Sequence, residues 1–139
     1  MEYNFKIWRG NADDGAFTKY TIILERGMVV LDALHRIQSK YASDLAVRWN
    51  CKAGKCGSCS MEINGRPKLG CMTRMNELPE DMAVTIQPLK TFPLLKDLVT
   101  DVSWNYEQNK KIAPFNPGTQ KGNTTRIMYQ QDVERIQEF

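Results

Sequence analysis

Cysteine is absent from most of this 139-residue chain: none occurs before residue 51 and none after residue 71. That excludes a disulfide framework spread across the fold, as in small secreted domains. Histidine occurs once, as His35. It has no visible catalytic partner and reads as a surface or packing residue. No apolar run approaches the roughly 18 residues of a membrane span. The longest apolar clusters, such as Met28 to Leu31, are a few residues each, so no direct membrane span is expected. Positive charge is scattered, with no basic run: 19 Lys+Arg stand against 16 Asp+Glu, a formal net charge of +3. That balance is too weak to point to nucleic acid. The Gly-rich phosphate loop, the nucleophilic triad, paired catalytic carboxylates and internal repeats are all missing. The opening MEYNFKIWRG lacks the plan of a secretory signal and the character of a transit peptide. The expected compartment is therefore cytosolic and reducing.

What is present suits one globular domain plus an extension: 42% hydrophobic and 25% charged residues supply a modest core. Tyr3, Phe5 and Ile7 alternate with polar neighbours, the period of a half-buried strand. Gly10 to Gly15 reads as a turn, and Tyr20, Ile22 and Leu24 alternate in a second strand. Val30, Leu34, Ile37 and Tyr41 recur at helical spacing and predict an amphipathic helix over roughly 29–41. Asp44 to Ala46 leads into a loop that holds the cysteines. Beyond it, Met61 and Ile63 alternate with Ser60, Glu62 and Asn64. Asn64-Gly65 is a strong hairpin signal, since both residues tolerate positive φ. Arg66 to Gly70 returns, and Met82 to Leu89 reads as the last core strand. The expected class is α+β, a mostly antiparallel mixed sheet with one packed helix, forming a domain over 1–90.

Residues 91–139 read differently. Leu95, Leu98, Val102 and Tyr106 fall at helical spacing after Pro93, predicting a helix within Thr91 to Asn109. Lys110 to Thr125 reads as an extended linker. Gln130 to Phe139 (QQDVERIQEF) reads as the start of a helical second domain, cut short.

All four cysteines lie in RWNCKAGKCGSCSMEINGRPKLGCMT, at Cys51, Cys56, Cys59 and Cys71. The spacing is C-x4-C-x2-C followed by x11-C. The triplet matches the plant-type pattern that holds a [2Fe-2S] cluster. Gly54 and Gly57 let the backbone wrap closely, and Ala53, Ser58 and Ser60 are small. Such a loop points backbone N–H groups at the sulfurs, which favours the more negative reduced state. Arg48, Lys52 and Lys55 act in the same direction. The Asn64-Gly65 hairpin accounts for the x11 gap and returns Cys71 beside the loop. A zinc site with four cysteine ligands is the main alternative, although zinc ligands usually come as two C-x2-C-like knuckles. A redox dithiol at Cys56 and Cys59 leaves Cys51 and Cys71 unexplained. The seven methionines read as core filler. Trp8, Trp49 and Trp104 read as packing or interface anchors, with Trp49 a candidate shield for the cysteine loop.

This stretch resembles the N-terminal cluster loop of the iron–sulfur subunits of succinate dehydrogenases and fumarate reductases. The early fourth cysteine on an I-N-G hairpin separates it from soluble plant-type ferredoxins. FPLLKDLVTD (Phe92 to Asp101) is similar to the family's helix after the cluster domain, and QQDVERIQEF to the helix opening its second domain. The resemblance implies a β-grasp ferredoxin-like domain with a [2Fe-2S] cluster on Cys51, Cys56, Cys59 and Cys71. It implies electron transfer as one subunit of an oxidoreductase that interconverts succinate and fumarate, with no substrate site on this chain. The implied partners are a flavoprotein (FAD) subunit and membrane-anchor subunits. They would hold the chain peripherally on the cytoplasmic face of the inner (plasma) membrane. The family's second domain carries C-x2-C-x2-C-x3-C-P runs for [4Fe-4S] and [3Fe-4S] clusters. No such run precedes Phe139, so the chain is expected to be a fragment or a natural half. A free-standing ferredoxin-like carrier and a zinc-stabilised binding module are the competing readings.

Overall fold

The computed structural model describes residues 1–113 and 129–137. Its residues fall into two compact units, Met1–Val102 and Ser103–Phe139.

In the first unit, β1 (Glu2–Gly10) and β2 (Gly15–Ile23) form an antiparallel hairpin in full register, Glu2 opposite Ile23 and Gly10 opposite Gly15. The alternation read from the sequence is the alternation observed: Tyr3, Phe5 and Ile7 are buried between exposed neighbours. The helix α1 (Val30–Lys40) follows. Then come β3 (Ser60–Ile63), β4 (Arg66–Leu69) and β5 (Val84–Gln87). The five strands make one sheet in the order β2-β1-β5-β3-β4. Only β1 and β5 run parallel. This is the expected α+β, β-grasp ferredoxin-like arrangement.

The core lies between α1 and the sheet. Val30, Leu31, Ala33, Leu34 and Ile37 of α1 are buried with Phe5, Ile7, Met61, Ile63, Val84 and Ile86 of the strands. Each large apolar side chain buried there contributes about 1.5–3 kcal/mol. The Asp32 carboxylate accepts the Val29 N–H at 3.0 Å. The next two N–H groups of the helix start, on Val30 and Leu31, donate to the carbonyls of Thr73 and Gly70, each at 2.9 Å. Those donors have no partner inside a helix. Here they are satisfied by the carbonyls that flank Cys71, so the helix start and the Cys71 turn fix each other.

Two expectations need correction. Residues 91–102 do not form a helix. Leu94–Lys96 (β6) and Val99–Thr100 (β7) form a small antiparallel hairpin. The first compact unit accordingly runs to Val102 rather than ending near residue 90. The helical spacing misled because only Leu98 of the apolar set turns inward, while Leu95 stays exposed. Glu62, one of the polar residues alternating with Met61 and Ile63, is buried as well. Its carboxylate accepts hydrogen bonds from the Gln87 amide at 2.8 Å and the Lys90 N–H at 3.3 Å, and the Lys90 ammonium lies 3.8 Å away.

The second unit holds α2 (Ser103–Lys110), which has no buried residue, and α3 (Gln130–Gln137). The Asp132 carboxylate accepts the Tyr129 N–H at 3.2 Å at the start of α3. Most of the linker expected over Lys110 to Thr125 lies outside the described residues. No helix among them is long and apolar enough to cross a membrane.

Candidate iron–sulfur site

The segment between α1 and β3 is a loop without regular structure. Three residues with left-handed φ wind it: Lys52 at 54°, Gly54 at 67° and Gly57 at 72°. The glycines supply this conformation without the Cβ penalty; Lys52 was not anticipated. The winding turns backbone N–H groups inward. Those of Ala53 and Lys55 donate to Cys51 Sγ at 3.3 Å, and that of Cys56 does so at 3.4 Å. The Ser58 N–H reaches Cys56 Sγ at 3.4 Å. The fan of donors inferred from the spacing is therefore present around the first two thiols.

The other two thiols sit deeper. Cys59 lies just before β3, and Cys71 just after β4, with the tight Asn64-Gly65 turn joining those strands. The Cys71 N–H donates to Cys59 Sγ at 3.4 Å. Cys59 and Cys71 are buried, Cys51 is half-buried and Cys56 is exposed. No disulfide joins any two of them.

The surroundings move the thiols in opposite directions. Three backbone N–H bonds, from Ala53, Cys56 and Lys55 in that order, hold Cys51 below the usual thiol range. Cys56 is pulled down to about 6, first by the Ser58 hydroxyl and then by backbone N–H groups. Burial pushes Cys59 up. A thiol bonded by several N–H groups is stabilised as the thiolate, the form that ligates a metal.

Trp49 stands at the loop entrance. Its ring packs edge-on against His35 of α1, centroids 5.0 Å apart, and carries the Lys52 ammonium 4.5 Å from its centroid. His35 thus packs, as read. Trp49 remains 46% exposed, so it anchors the loop more than it shields it.

A feature missed in the sequence lies on the β6–β7 hairpin. Asp97 is 1% exposed, at φ 50°. Its carboxylate accepts the N–H of Gly10 and the N–H of Ala46, both at 2.8 Å. The only sequence signal was a short polar residue, tolerant of left-handed φ, inside an apolar run.

Among the described residues no three potential metal ligands gather closely enough to enclose a single metal ion; what the fold brings together is cysteine in pairs, a chemistry suited to a cluster rather than to one ion. Four sulfurs sit in two neighbouring pairs, Cys51 with Cys56 and Cys59 with Cys71, and a cluster of two irons takes four thiolates.

Comparison with known proteins identifies the family. The family model "2Fe-2S iron-sulfur cluster binding domain" matches residues 4–107. The chain is 36% identical over 115 residues to the succinate dehydrogenase iron-sulfur subunit of Paracoccus denitrificans, covering 80% of this chain and 44% of that protein. It is 37% identical over 120 residues to the fumarate reductase iron-sulfur subunit of Haemophilus influenzae, covering 84% of this chain and 46% of that one. A chain of the Mycobacterium smegmatis Sdh1 complex in the apo form superposes with a TM-score of 0.86 at 52% identity, over 99% of this chain and 57% of that one. The chain spans less than half the length of these two subunits.

Proposed function

This chain belongs to the 2Fe-2S iron-sulfur cluster binding domain family, and we propose that it relays electrons as part of the iron–sulfur subunit of a succinate dehydrogenase or fumarate reductase. Cys51, Cys56, Cys59 and Cys71 are the ligands of its [2Fe-2S] cluster. The cluster accepts and releases one electron at a time. It stands between a flavoprotein (FAD) subunit and the clusters on the quinone side. Membrane-anchor subunits of the full complex hold the chain peripherally at the membrane.

The observation that carries this reading is the pairing of the thiols under converging N–H groups. The N–H groups of Ala53, Lys55, Cys56 and Ser58 compensate negative charge on Cys51 and Cys56. Such hydrogen bonds to sulfur are one of the protein's levers on cluster potential. Burial of Cys59 and Cys71 keeps water from the inner pair. The positive charges of Lys52 and Lys55 favour the reduced form further.

The test is to purify the full chain anaerobically, assay iron, zinc and acid-labile sulfide, and record low-temperature EPR of the reduced sample. Two irons and two sulfides per chain with a rhombic signal are expected. Zinc without sulfide would overturn the reading in favour of a zinc-stabilised binding module. Co-purification of a flavoprotein from a native extract separates a complex subunit from a free-standing carrier.

A further inference from the structure

The cysteine loop has to begin at a fixed place for its N–H groups to meet the sulfurs. Its entry segment, residues 44–48, has no regular structure of its own. The β6–β7 hairpin grips it at successive points. Lys96 Nζ donates to the Asp44 carbonyl at 3.2 Å. The Asp97 carboxylate accepts the Ala46 N–H at 2.8 Å, and the Leu98 N–H donates back to the Ala46 carbonyl at 3.2 Å. Arg48 Nη1 donates to the Thr100 carbonyl at 3.2 Å. Arg48 is three residues before Cys51.

Asp97 is the hub of this grip. Its second carboxylate oxygen accepts the Gly10 N–H at 2.8 Å, its own N–H donates to the Gly10 carbonyl at 2.7 Å, and Arg9 Nε lies 3.3 Å away. The end of β1 and the loop entry are thereby held on one buried carboxylate. A buried charge satisfied on both oxygens is geometrically exacting, because losing one partner leaves it uncompensated.

We propose that Asp97 is a positioning residue for the cluster: by tying Gly10 and Ala46 to one carboxylate, it sets where the loop to Cys51 starts and so the N–H···S bonds that tune the cluster. Asp97 touches no cysteine. Its effect passes through the backbone to the donors on Ala53, Lys55 and Cys56. Loosening the entry lengthens those bonds and removes stabilisation of the reduced form. This inference rests on Cys51 being a cluster ligand.

The experiment compares the full chain, cluster-loaded, with Asp97→Asn, Asp97→Ala and Ile22→Ala. Asparagine keeps the shape and the tolerance of left-handed φ, but sets an amide donor against one of the two N–H groups. The reduction potential is expected to move to more negative values and the EPR g-values to shift, more for Asp97→Ala than for Asp97→Asn. Ile22→Ala, a core truncation in β2, is expected to lower thermal stability with potential and g-values unchanged. If Asp97→Ala does not fold, Asp97→Asn decides. Unchanged potential and spectrum in a folded Asp97→Asn would overturn the proposal. So would an equal shift in Ile22→Ala, since that is the mark of general destabilisation. A wild-type chain without iron and sulfide is a separate failure, that of the ligand reading itself.

Discussion

Cys71 donates its backbone N–H to the sulfur of Cys59 at 3.4 Å, and both residues are buried, whereas Cys51 and Cys56 meet solvent. The four thiols are therefore two unlike pairs. In the metal-free chain this difference is chemical. Cys56, drawn down to about 6 chiefly by the Ser58 hydroxyl, is mostly thiolate at neutral pH, while burial raises Cys59. The thiolate is the nucleophile.

Iodoacetamide is thus expected to label Cys56 well before Cys59 at pH 7 in the metal-free chain. The Cys56 rate should rise with pH, reach half its plateau near pH 6, and flatten above about pH 7. Ser58→Ala should move that midpoint upward, because it removes the largest of the lowering interactions. Peptide mass spectrometry across pH 5 to 9 reads both. Equal labelling of Cys59 and Cys56 in the folded chain contradicts the assignment.

Gly54 and Gly57 have similar positive φ but different surroundings. A Cβ on Gly54 would sit 2.9 Å from Cγ of Met72, while one on Gly57 meets nothing within 4 Å. Alanine at either position carries the left-handed cost of about 1–2 kcal/mol. Gly54→Ala should cost more than Gly57→Ala, and Met72→Ala should erase the excess. Thermal unfolding of wild type, Gly54→Ala, Met72→Ala and the Gly54→Ala/Met72→Ala double variant forms the cycle that measures this coupling. An excess that survives Met72→Ala shows that the contact is irrelevant.

Asn64 does more than turn the β3–β4 hairpin. At φ 50° it donates its N–H to the Thr85 carbonyl at 2.8 Å and accepts the Thr85 N–H on its side chain at 2.9 Å. The turn that delivers Cys71 is thereby pinned to β5. Asn64→Gly loses one side-chain bond, worth about 1 kcal/mol, but keeps the backbone relaxed. Asn64→Ala loses the bond and adds strain, for about 2–3 kcal/mol in all. Urea unfolding is expected to rank wild type above glycine above alanine. If glycine and alanine are equally costly, backbone strain is not the deciding term.

The parts of the fold governed by local periodicity were legible. Phe5 and Ile7 declare a strand, Val30, Leu34 and Ile37 a helix face, and Asn64-Gly65 a hairpin. The cysteine spacing likewise carries its own chemistry. The β6–β7 hairpin was not legible, because its apolar residues imitate helical spacing and its cause is distant. Asp97 is fixed by Gly10, 87 residues away in sequence, and by Ala46, 51 away. The burial of Glu62 was hidden for the same reason: its partners Gln87 and Lys90 lie 25 and 28 residues on. A single sequence shows a residue's propensity; it does not show which remote N–H group will need its carboxylate.

His35 packs its ring against Trp49, with Nε2 buried and lacking a hydrogen-bond partner among the described residues. Burial lowers its pKa, and the nearby Lys52 ammonium adds to this against a smaller opposing pull from Asp32. The folded chain therefore binds this proton less readily than the unfolded chain, whose histidine titrates near 6.5. Between the folded and unfolded values the unfolded state holds more protons, so stability rises with pH. The contribution is complete above about pH 6.5 and is lost as pH falls through the lowered folded value. His35→Phe keeps an aromatic ring against Trp49 and removes both the titration and the unsatisfied nitrogen. Replacing an unpaired buried polar atom by an apolar group is neutral or stabilising, by up to about 1 kcal/mol. Thermal midpoints of the metal-free chain measured from pH 5 to pH 8 should fall less steeply on the acid side for His35→Phe than for wild type, with the two curves running closest together at low slope above pH 7. A variant as acid-sensitive as wild type would place that sensitivity elsewhere in the chain.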